Sequence, residues 1–105
     1  MYKQFDLIPN DGRKSFYHKA IVTEANGAAV LRSYNTDVCE IDAAGNFHRY
    51  WSGYSATTMR HVNAFLDLYG VPGGGKAWWD AQPVERRNVA RAVFDLLHEY
   101  ENITA

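Results

Sequence analysis

The residues best suited to binding an anion follow Ser55 at the start of a predicted helix, namely Thr57, Thr58, Arg60 and His61. Backbone amides and the helix dipole attract negative charge at a helix N-terminus, and these side chains would add donors. The alternative is that the threonines cap the helix while Arg60 and His61 pack their stems against strands. We favour the alternative, because caps of this composition are common.

Residues 70–76 have the GxxxxGK spacing of a phosphate-binding loop. Such a loop needs a buried strand before it, a helix after it, and a Ser or Thr after the lysine to bind magnesium. Here a predicted helix precedes the glycines, and Ala77 follows Lys76. We therefore interpret the segment as a connector between helices and predict no nucleotide hydrolysis.

A predicted C-terminal helix carries its charges against its own dipole. Arg86, Arg87 and Arg91 lie in its first half, whereas acidic residues lie toward its end. Helix electrostatics favour the reverse arrangement. Together with Lys76, the arginines could therefore form a local basic patch for nucleic acid or an acidic partner. The alternative is a solvated face with internal ion pairs, such as Arg91 with Asp95.

Catalysis and metal binding have little support in the sequence. Cys39 is the single cysteine and lies on a predicted strand without an electropositive setting. It is more simply a small buried hydrophobe than a nucleophile activated by His48 or His61. The four histidines lack His-x-x-x-His spacing, so we predict no metal and no cofactor.

Aromatic residues are unusually numerous, with seven tyrosines and three tryptophans among 105 residues. One small core does not readily hide so many rings. Some of them, such as Tyr17, Tyr54, Trp78 and Trp79, are therefore predicted to form a contact surface, where aromatic residues are enriched. The alternative is that they cover a thin core.

The pattern of strand and helix signals along the chain predicts an α+β fold. Aromatic and β-branched segments predict an antiparallel meander of three to four strands. These strands cover residues 15–24, 29–34, 38–42 and 47–51, and residues 2–8 are a candidate edge strand. Asn26-Gly27 predicts a hairpin turn, because both residues tolerate positive φ.

Helix signals follow the strands. Gly53 permits a sharp exit from the sheet at positive φ, and Ser55 is a good N-cap for a long amphipathic helix. Gly70 with Pro72 ends that helix. A short helix containing two tryptophans comes next, and a C-terminal helix then begins with Pro83 near its first position.

The bulk composition is that of one globular domain over residues 1–105, strand-rich in 1–52 and helical in 55–101. The chain is 47% hydrophobic and 22% charged, which is ordinary for such a domain. Its net charge of −1 argues against wholesale nucleic-acid binding, and no apolar run is long enough to span a membrane. The N-terminus does not resemble a signal peptide, and a lone cysteine suits a reducing compartment, so we expect a cytoplasmic protein.

Several motifs stand out as strings: Asp-Gly-Arg-Lys-Ser-Phe-Tyr at 11–17, Ser-Tyr-Asn-Thr-Asp-Val at 33–38 and Trp-x-Gly-Tyr-Ser-x-Thr-Thr-x-Arg-His at 51–61. With the Gly-Lys-x-Trp-Trp segment that follows, they cover roughly residues 11–80. The chain here resembles a family of small uncharacterised proteins from gut Firmicutes, their phages and conjugative elements. The resemblance implies a bacterial or phage intracellular setting and an accessory role, and it supplies no catalytic residue.

We therefore predict a non-catalytic protein-interaction or regulatory module encoded by a bacterium, phage or mobile element, with inhibition of a host system as one form of that role. The alternative is a nucleic-acid-binding accessory protein with a local basic patch. The residues predicted to bind an anion or partner are Thr57, Thr58, Arg60, His61, Lys76, Arg86, Arg87 and Arg91. The predicted aromatic contacts are Tyr54, Trp78 and Trp79.

Overall fold

The computed structural model describes residues 2–86, in which five strands precede two helices. The elements are β1 (Tyr2–Asp6), β2 (Ala20–Ala25), β3 (Ala28–Ser33), β4 (Thr36–Ile41), β5 (Phe47–Arg49), α1 (Ala56–Tyr69) and α2 (Lys76–Ala81). The strands form one antiparallel sheet in the order β1-β2-β3-β4-β5. The predicted α+β class and meander are confirmed, with one strand more than the upper number predicted.

The hairpin between β2 and β3 follows the predicted turn. Asn26 and Gly27 have φ values of 54° and 82°, and Ala25 pairs with Ala28 on either side of them. Two consecutive left-handed residues match the right-handed twist of the strands that they join. The local sequence therefore determines the register of this hairpin.

β2 begins later than predicted, at Ala20 instead of near residue 15. Tyr17 and His18 have φ values of 51° and 62°, and a residue in the left-handed region cannot continue a β ladder. Aromatic composition alone favoured a strand here, and the turn conformation of two consecutive residues overrides it.

α1 packs on one face of the sheet and closes the core. The register places Val22, Leu31 and Cys39 side by side on neighbouring strands. All three are fully buried, as are Val62 and Phe65 of α1. Burying a side chain of this kind contributes roughly 1.5–3 kcal/mol. The apolar face of the predicted amphipathic helix thus covers the sheet.

The predicted ends of α1 are confirmed. The Ser55 hydroxyl accepts a hydrogen bond from the Thr58 amide at 3.0 Å, and Gly70 has a left-handed conformation at the C-terminus. The role predicted for Gly53 is wrong, because Gly53 is not among the residues with positive φ. A Cβ atom at Gly53 would lie 2.5 Å from the Trp51 ring. Position 53 requires glycine because the Trp51 ring occupies the space that a Cβ atom would need.

The helix predicted to begin near Pro83 does not begin there. Val84 forms a parallel bridge with Arg49, and the Glu85 amide donates to the Arg49 carbonyl oxygen at 2.6 Å. Val84 and Glu85 therefore run beside β5 and not in a helix. Gln82 already has extended dihedral angles, as expected for a residue before proline. The remainder of the predicted helix, with Arg87 and Arg91, lies outside the described residues.

Neither α1 nor α2, the helices found within residues 2–86, combines the length and the apolar character that crossing a membrane requires.

Candidate functional site

The loop of residues 10–19 is fixed to α1 by Arg60. Arg60 donates from Nε to Asp11 Oδ2 at 2.8 Å and from Nη2 to Asp11 Oδ1 at 3.2 Å. These hydrogen bonds lower the pKa of the Asp11 carboxyl to about 2. The guanidinium also lies 5.0 Å from the centroid of the Phe16 ring. The guanidinium that was predicted to bind an anion therefore pairs with a carboxylate of its own chain.

His61 and Thr58 face the sheet, in agreement with the favoured alternative in which His61 packs against strands, and neither side chain is exposed to an anion. His61 is 1% exposed, and its Nδ1 lies 2.8 Å from Ser33 Oγ. The same hydroxyl lies 3.0 Å from Thr58 Oγ1. Burial, together with the charge of Arg60, lowers the pKa of His61 to about 4, so the ring is neutral near pH 7. Ser33 on β3 supplies the polar partner that makes this burial tolerable.

The Ser33–His61 pair has the distance of a nucleophile and its base, but not the access. Ser33 is 3% exposed, so a substrate carbonyl cannot reach its oxygen, and nucleophilic catalysis requires such contact. Cys39 is likewise fully buried, and burial raises the pKa of its thiol. The interpretation of Cys39 as a buried hydrophobe is confirmed. These groups contribute to the core.

Three exposed residues at one end of the sheet have left-handed backbone conformations. They are Tyr17, His18 and Tyr34, with φ values of 51°, 62° and 55°. Tyr17 and Tyr34 are 63% and 50% exposed. The Tyr34 amide donates to the Lys19 carbonyl oxygen at 2.7 Å, which joins the two turns. We call Tyr17, His18, Lys19 and Tyr34 the tyrosine surface.

Cations lie within the tyrosine surface, at Lys19, and in the loop that precedes it, at Arg13 and Lys14. Arg13, Lys14 and Lys19 are all exposed, and within residues 2–86 none of them forms an ion pair with a carboxylate. Lys19 Nζ lies 6.0 Å from the centroid of the Tyr34 ring. His18 is instead paired, with Nδ1 2.7 Å from Asp6 Oδ2. The described part of this end thus combines exposed aromatic rings with exposed lysines, while the charge of Arg13 acts on the Asp11 carboxylate and helps to lower its pKa.

Lys76 belongs to a separate region beside α2. Its Nζ pairs with Asp80 at 2.7 Å and lies 5.3 Å from the ring centroid of Tyr54, which is 40% exposed. The glycine segment before it runs from one helix to another, and the Gly75 amide donates to Asn63 Oδ1 at 3.2 Å. The expectation that a helix precedes this segment is confirmed.

Of the other predicted residues, Thr57 and Arg86 are exposed, on α1 and on the segment after α2. Trp78 is half-buried, with its ring centroid 4.8 Å from that of Phe47. Trp79 is 1% exposed, and its indole N–H donates to the Gly53 carbonyl oxygen at 2.8 Å. Trp79 is therefore a core residue and has no surface to offer a partner.

Sequence reasoning missed Arg49, which is 5% exposed at the end of β5. Its five N–H groups donate to backbone carbonyls: those of Trp51, Ser52, Gly53, Trp79 and Gln82. A buried charge is tolerated only when its donors are satisfied in this way. The available signal was the alternation of side chains between the two faces of a strand. Arg49 shares a face with Phe47, two residues earlier, and lies directly opposite Cys39 in the register.

His48 lies between two carboxylates. Its Nε2 is 2.7 Å from Asp42 Oδ2, and its Nδ1 is 2.9 Å from both oxygens of Glu85. Both nitrogens can donate only in the imidazolium form. Partial burial opposes this charge, but hydrogen bonds to Asp42 and Glu85 raise the pKa of His48 above its ordinary value. The ring ties the turn after β4 to the segment after α2, and it is not available as a base for Cys39.

The comparisons with known proteins supply a family and no activity. A family model described as a family of unknown function, DUF8033, matches residues 6–81. No curated protein and no solved structure matches the chain. The matched residues include the loop that bears Tyr17, the turn that bears Tyr34, and both helices.

Proposed function

We propose that this chain, which belongs to the DUF8033 family of unknown function, is a non-catalytic module that binds an acidic segment of a protein partner through the tyrosine surface. A bacterial, phage or mobile-element origin, a cytoplasmic setting and a regulatory role belong to the same proposal. They follow from the resemblance of the Trp-x-Gly-Tyr-Ser-x-Thr-Thr-x-Arg-His string.

The observation that carries the proposal is the left-handed backbone of Tyr17 and Tyr34. A left-handed residue with a Cβ atom costs roughly 1–2 kcal/mol, and glycine or asparagine would avoid most of that cost. Both residues are at least half exposed. The Tyr34 ring lies 5.9 Å from the buried His61 ring, centroid to centroid, and the exposed half of Tyr34 is open to a partner. Backbone strain of this kind collects at functional sites, and tyrosine is enriched among the residues that dominate binding.

The charges around the rings favour an acidic partner. Within residues 2–86, Lys14 and Lys19 form no ion pair with a carboxylate. Acidic side chains of a bound segment would compensate them. Charge complementarity of this kind speeds association and fixes the orientation of the partner.

Nucleic acid remains the alternative ligand, because exposed aromatic rings beside lysines can also stack on bases. The net charge of −1 and the carboxylates of Asp6 and Asp11 near the same loop disfavour a continuous phosphate backbone. Salt separates the two cases, since phosphate contacts release counterions and binding through them weakens steeply as salt rises.

The test uses the full-length chain as bait in a nuclease-treated bacterial lysate, followed by titration of the purified captured protein. Binding to the wild type that falls by about tenfold or more in Tyr34→Gly, as for a hot-spot residue, supports the proposal. Equal affinity for the variant overturns it. Binding of a single-stranded oligothymidine probe that depends on Tyr34 and on salt, with no protein ligand, establishes the alternative instead.

A further inference from the structure

The two edges of the sheet differ in how they are covered. Beyond β5, Val84 forms a bridge with Arg49, and the Glu85 amide donates to the Arg49 carbonyl oxygen. Beyond β1, no strand of residues 2–86 follows, and Tyr2, Lys3 and Gln4 are exposed. An uncovered edge presents backbone donors and acceptors that can pair with another strand.

The hydrogen bonds of β1 show which residues face that open edge. The Leu7 amide donates to the Ala20 carbonyl oxygen on the β2 side at 2.9 Å. Successive residues of an antiparallel ladder direct their backbone groups to opposite sides. Phe5 and Lys3 therefore face β2, as Leu7 does, whereas Tyr2, Gln4 and Asp6 direct their amides and carbonyls outward.

We propose that β1 pairs with β1 of a second copy of this chain, antiparallel and centred on Gln4. In this register Gln4 lies opposite Gln4, Tyr2 lies opposite Asp6, and each of these pairs exchanges both backbone hydrogen bonds. The register repeats itself under a two-fold rotation, which is the property that an isologous dimer interface needs.

The side chains of β1 are complementary in the same register. Lys3 lies across from Phe5, and Tyr2 lies across from the carboxylate of Asp6, so no two like charges are opposite each other. Such cross-strand pairs contribute roughly 0.2–1 kcal/mol each. A lysine often blunts an exposed edge, but Lys3 Nζ lies 5.4 Å from the ring centroid of Phe5 in its own strand. The Lys3 side chain therefore runs along β1 and leaves the edge of the sheet open to a second copy.

One pair of short strands buries little surface, so the dimer is weak. We expect weak association, because interfaces below roughly 1,200 Å² are usually transient. In sedimentation equilibrium of the full-length chain from about 10 µM to about 1 mM, the wild type should pass from monomer toward dimer.

Gln4→Pro is the matched disruption. Proline removes the outward amide of Gln4 and leaves the backbone hydrogen bonds between β1 and β2 in place, since those belong to Lys3 and Phe5. The side-chain hydrogen bond from Gln4 Nε2 to Thr23 Oγ1 is lost in the proline and alanine variants alike. Gln4→Ala is the control, because it keeps the amide. The proposal expects Gln4→Ala to dimerise like the wild type and Gln4→Pro to stay monomeric. A monomeric wild type across the range, or dimerisation of Gln4→Pro equal to that of the wild type, overturns it.

Amide hydrogen exchange tests the register without any variant. In the wild type, exchange at Gln4 and Asp6 should slow as concentration rises, whereas exchange at Phe5, already bonded to β2, should not change. Exchange at Gln4 and Asp6 that is independent of concentration contradicts the proposal.

Discussion

Arg49 Nη1 donates to the Trp79 carbonyl oxygen at 2.8 Å, and the same guanidinium lies 4.5 Å from the centroid of the Trp79 ring. One side chain at the end of β5 therefore holds both the backbone and the face of α2. The other four N–H groups bind carbonyls of the segments before α1 and after α2. Arg49 is therefore one link between the helical half and the sheet, beside the apolar packing of α1 on the strands.

Arg49→Lys should destabilise the fold strongly although it keeps the charge. Lysine has three donors instead of five, so at least two of the five carbonyls lose their hydrogen bond to this side chain. A hydrogen bond to a charged group contributes roughly 1.5–3 kcal/mol, so we expect a total loss of about 3–6 kcal/mol by urea denaturation. The control is Arg32→Lys, on an exposed position of β3. Equal urea midpoints for Arg49→Lys and Arg32→Lys would show that the hydrogen bonds of Arg49 do not stabilise the fold.

Stability should fall on the alkaline side because of His48. Its raised pKa means that its contribution is complete below the ordinary value of 6.5 and is lost as the pH rises through the raised value. The groups that face the ring are Asp42, Glu85 and, across the strands, Glu40. In urea denaturation above pH 6.5, His48→Gln should lose this slope while His18→Gln keeps it. A wild-type slope that survives His48→Gln refutes the assignment.

On the acid side, His61 should act in the opposite direction. Its pKa is lowered from 6.5 to about 4, so the unfolded chain takes up the proton first. Stability due to this residue is present above pH 6.5 and is lost as the pH falls toward 4. The loss should be on the order of 2–3 kcal/mol. We expect His61→Gln to flatten this limb of the urea profile, and an unchanged limb would mean that other groups cause it.

Local signals predicted the elements that depend on neighbours in sequence. Asn26-Gly27 and the caps of α1 at Ser55 and Gly70 are of this kind, because the residues that stabilise each feature lie within a few positions of it. The site depended on distant partners. His61 faces the core because Ser33, 28 residues earlier, accepts or donates its hydrogen bond. The spacing of residues in α1 does not predict that Ser33 is the partner of His61.

The tyrosine surface was beyond prediction for a different reason. Only the exposure of Tyr17 was anticipated, and neither Tyr17 nor Tyr34 has the propensity for a left-handed backbone. The surrounding turns impose it. Similarly, residues 83–86 read as a helix start, but their backbone pairs with β5 through Val84 and Arg49. Tertiary hydrogen bonds outweighed the local preference at both places.

If the rings of the tyrosine surface serve binding and not folding, removing one ring should change the free energy of unfolding little. In Tyr34→Gly, relief of left-handed strain offsets the entropy that glycine loses on folding. We expect the free energy of unfolding to change by less than about 1 kcal/mol in urea. Phe16→Ala, which removes a buried ring 4.5 Å from His61, should instead cost roughly 3–5 kcal/mol. A loss in Tyr34→Gly as large as that in Phe16→Ala would assign Tyr34 to the architecture.

Backbone amide NMR during titration with the captured protein shows whether this end of the sheet contacts the partner. The largest chemical-shift changes and line broadening should fall on Tyr17, His18, Lys19 and Tyr34, with little change at Lys76 beside α2. Changes concentrated around Lys76 and Tyr54, with the tyrosine surface unperturbed, would contradict it.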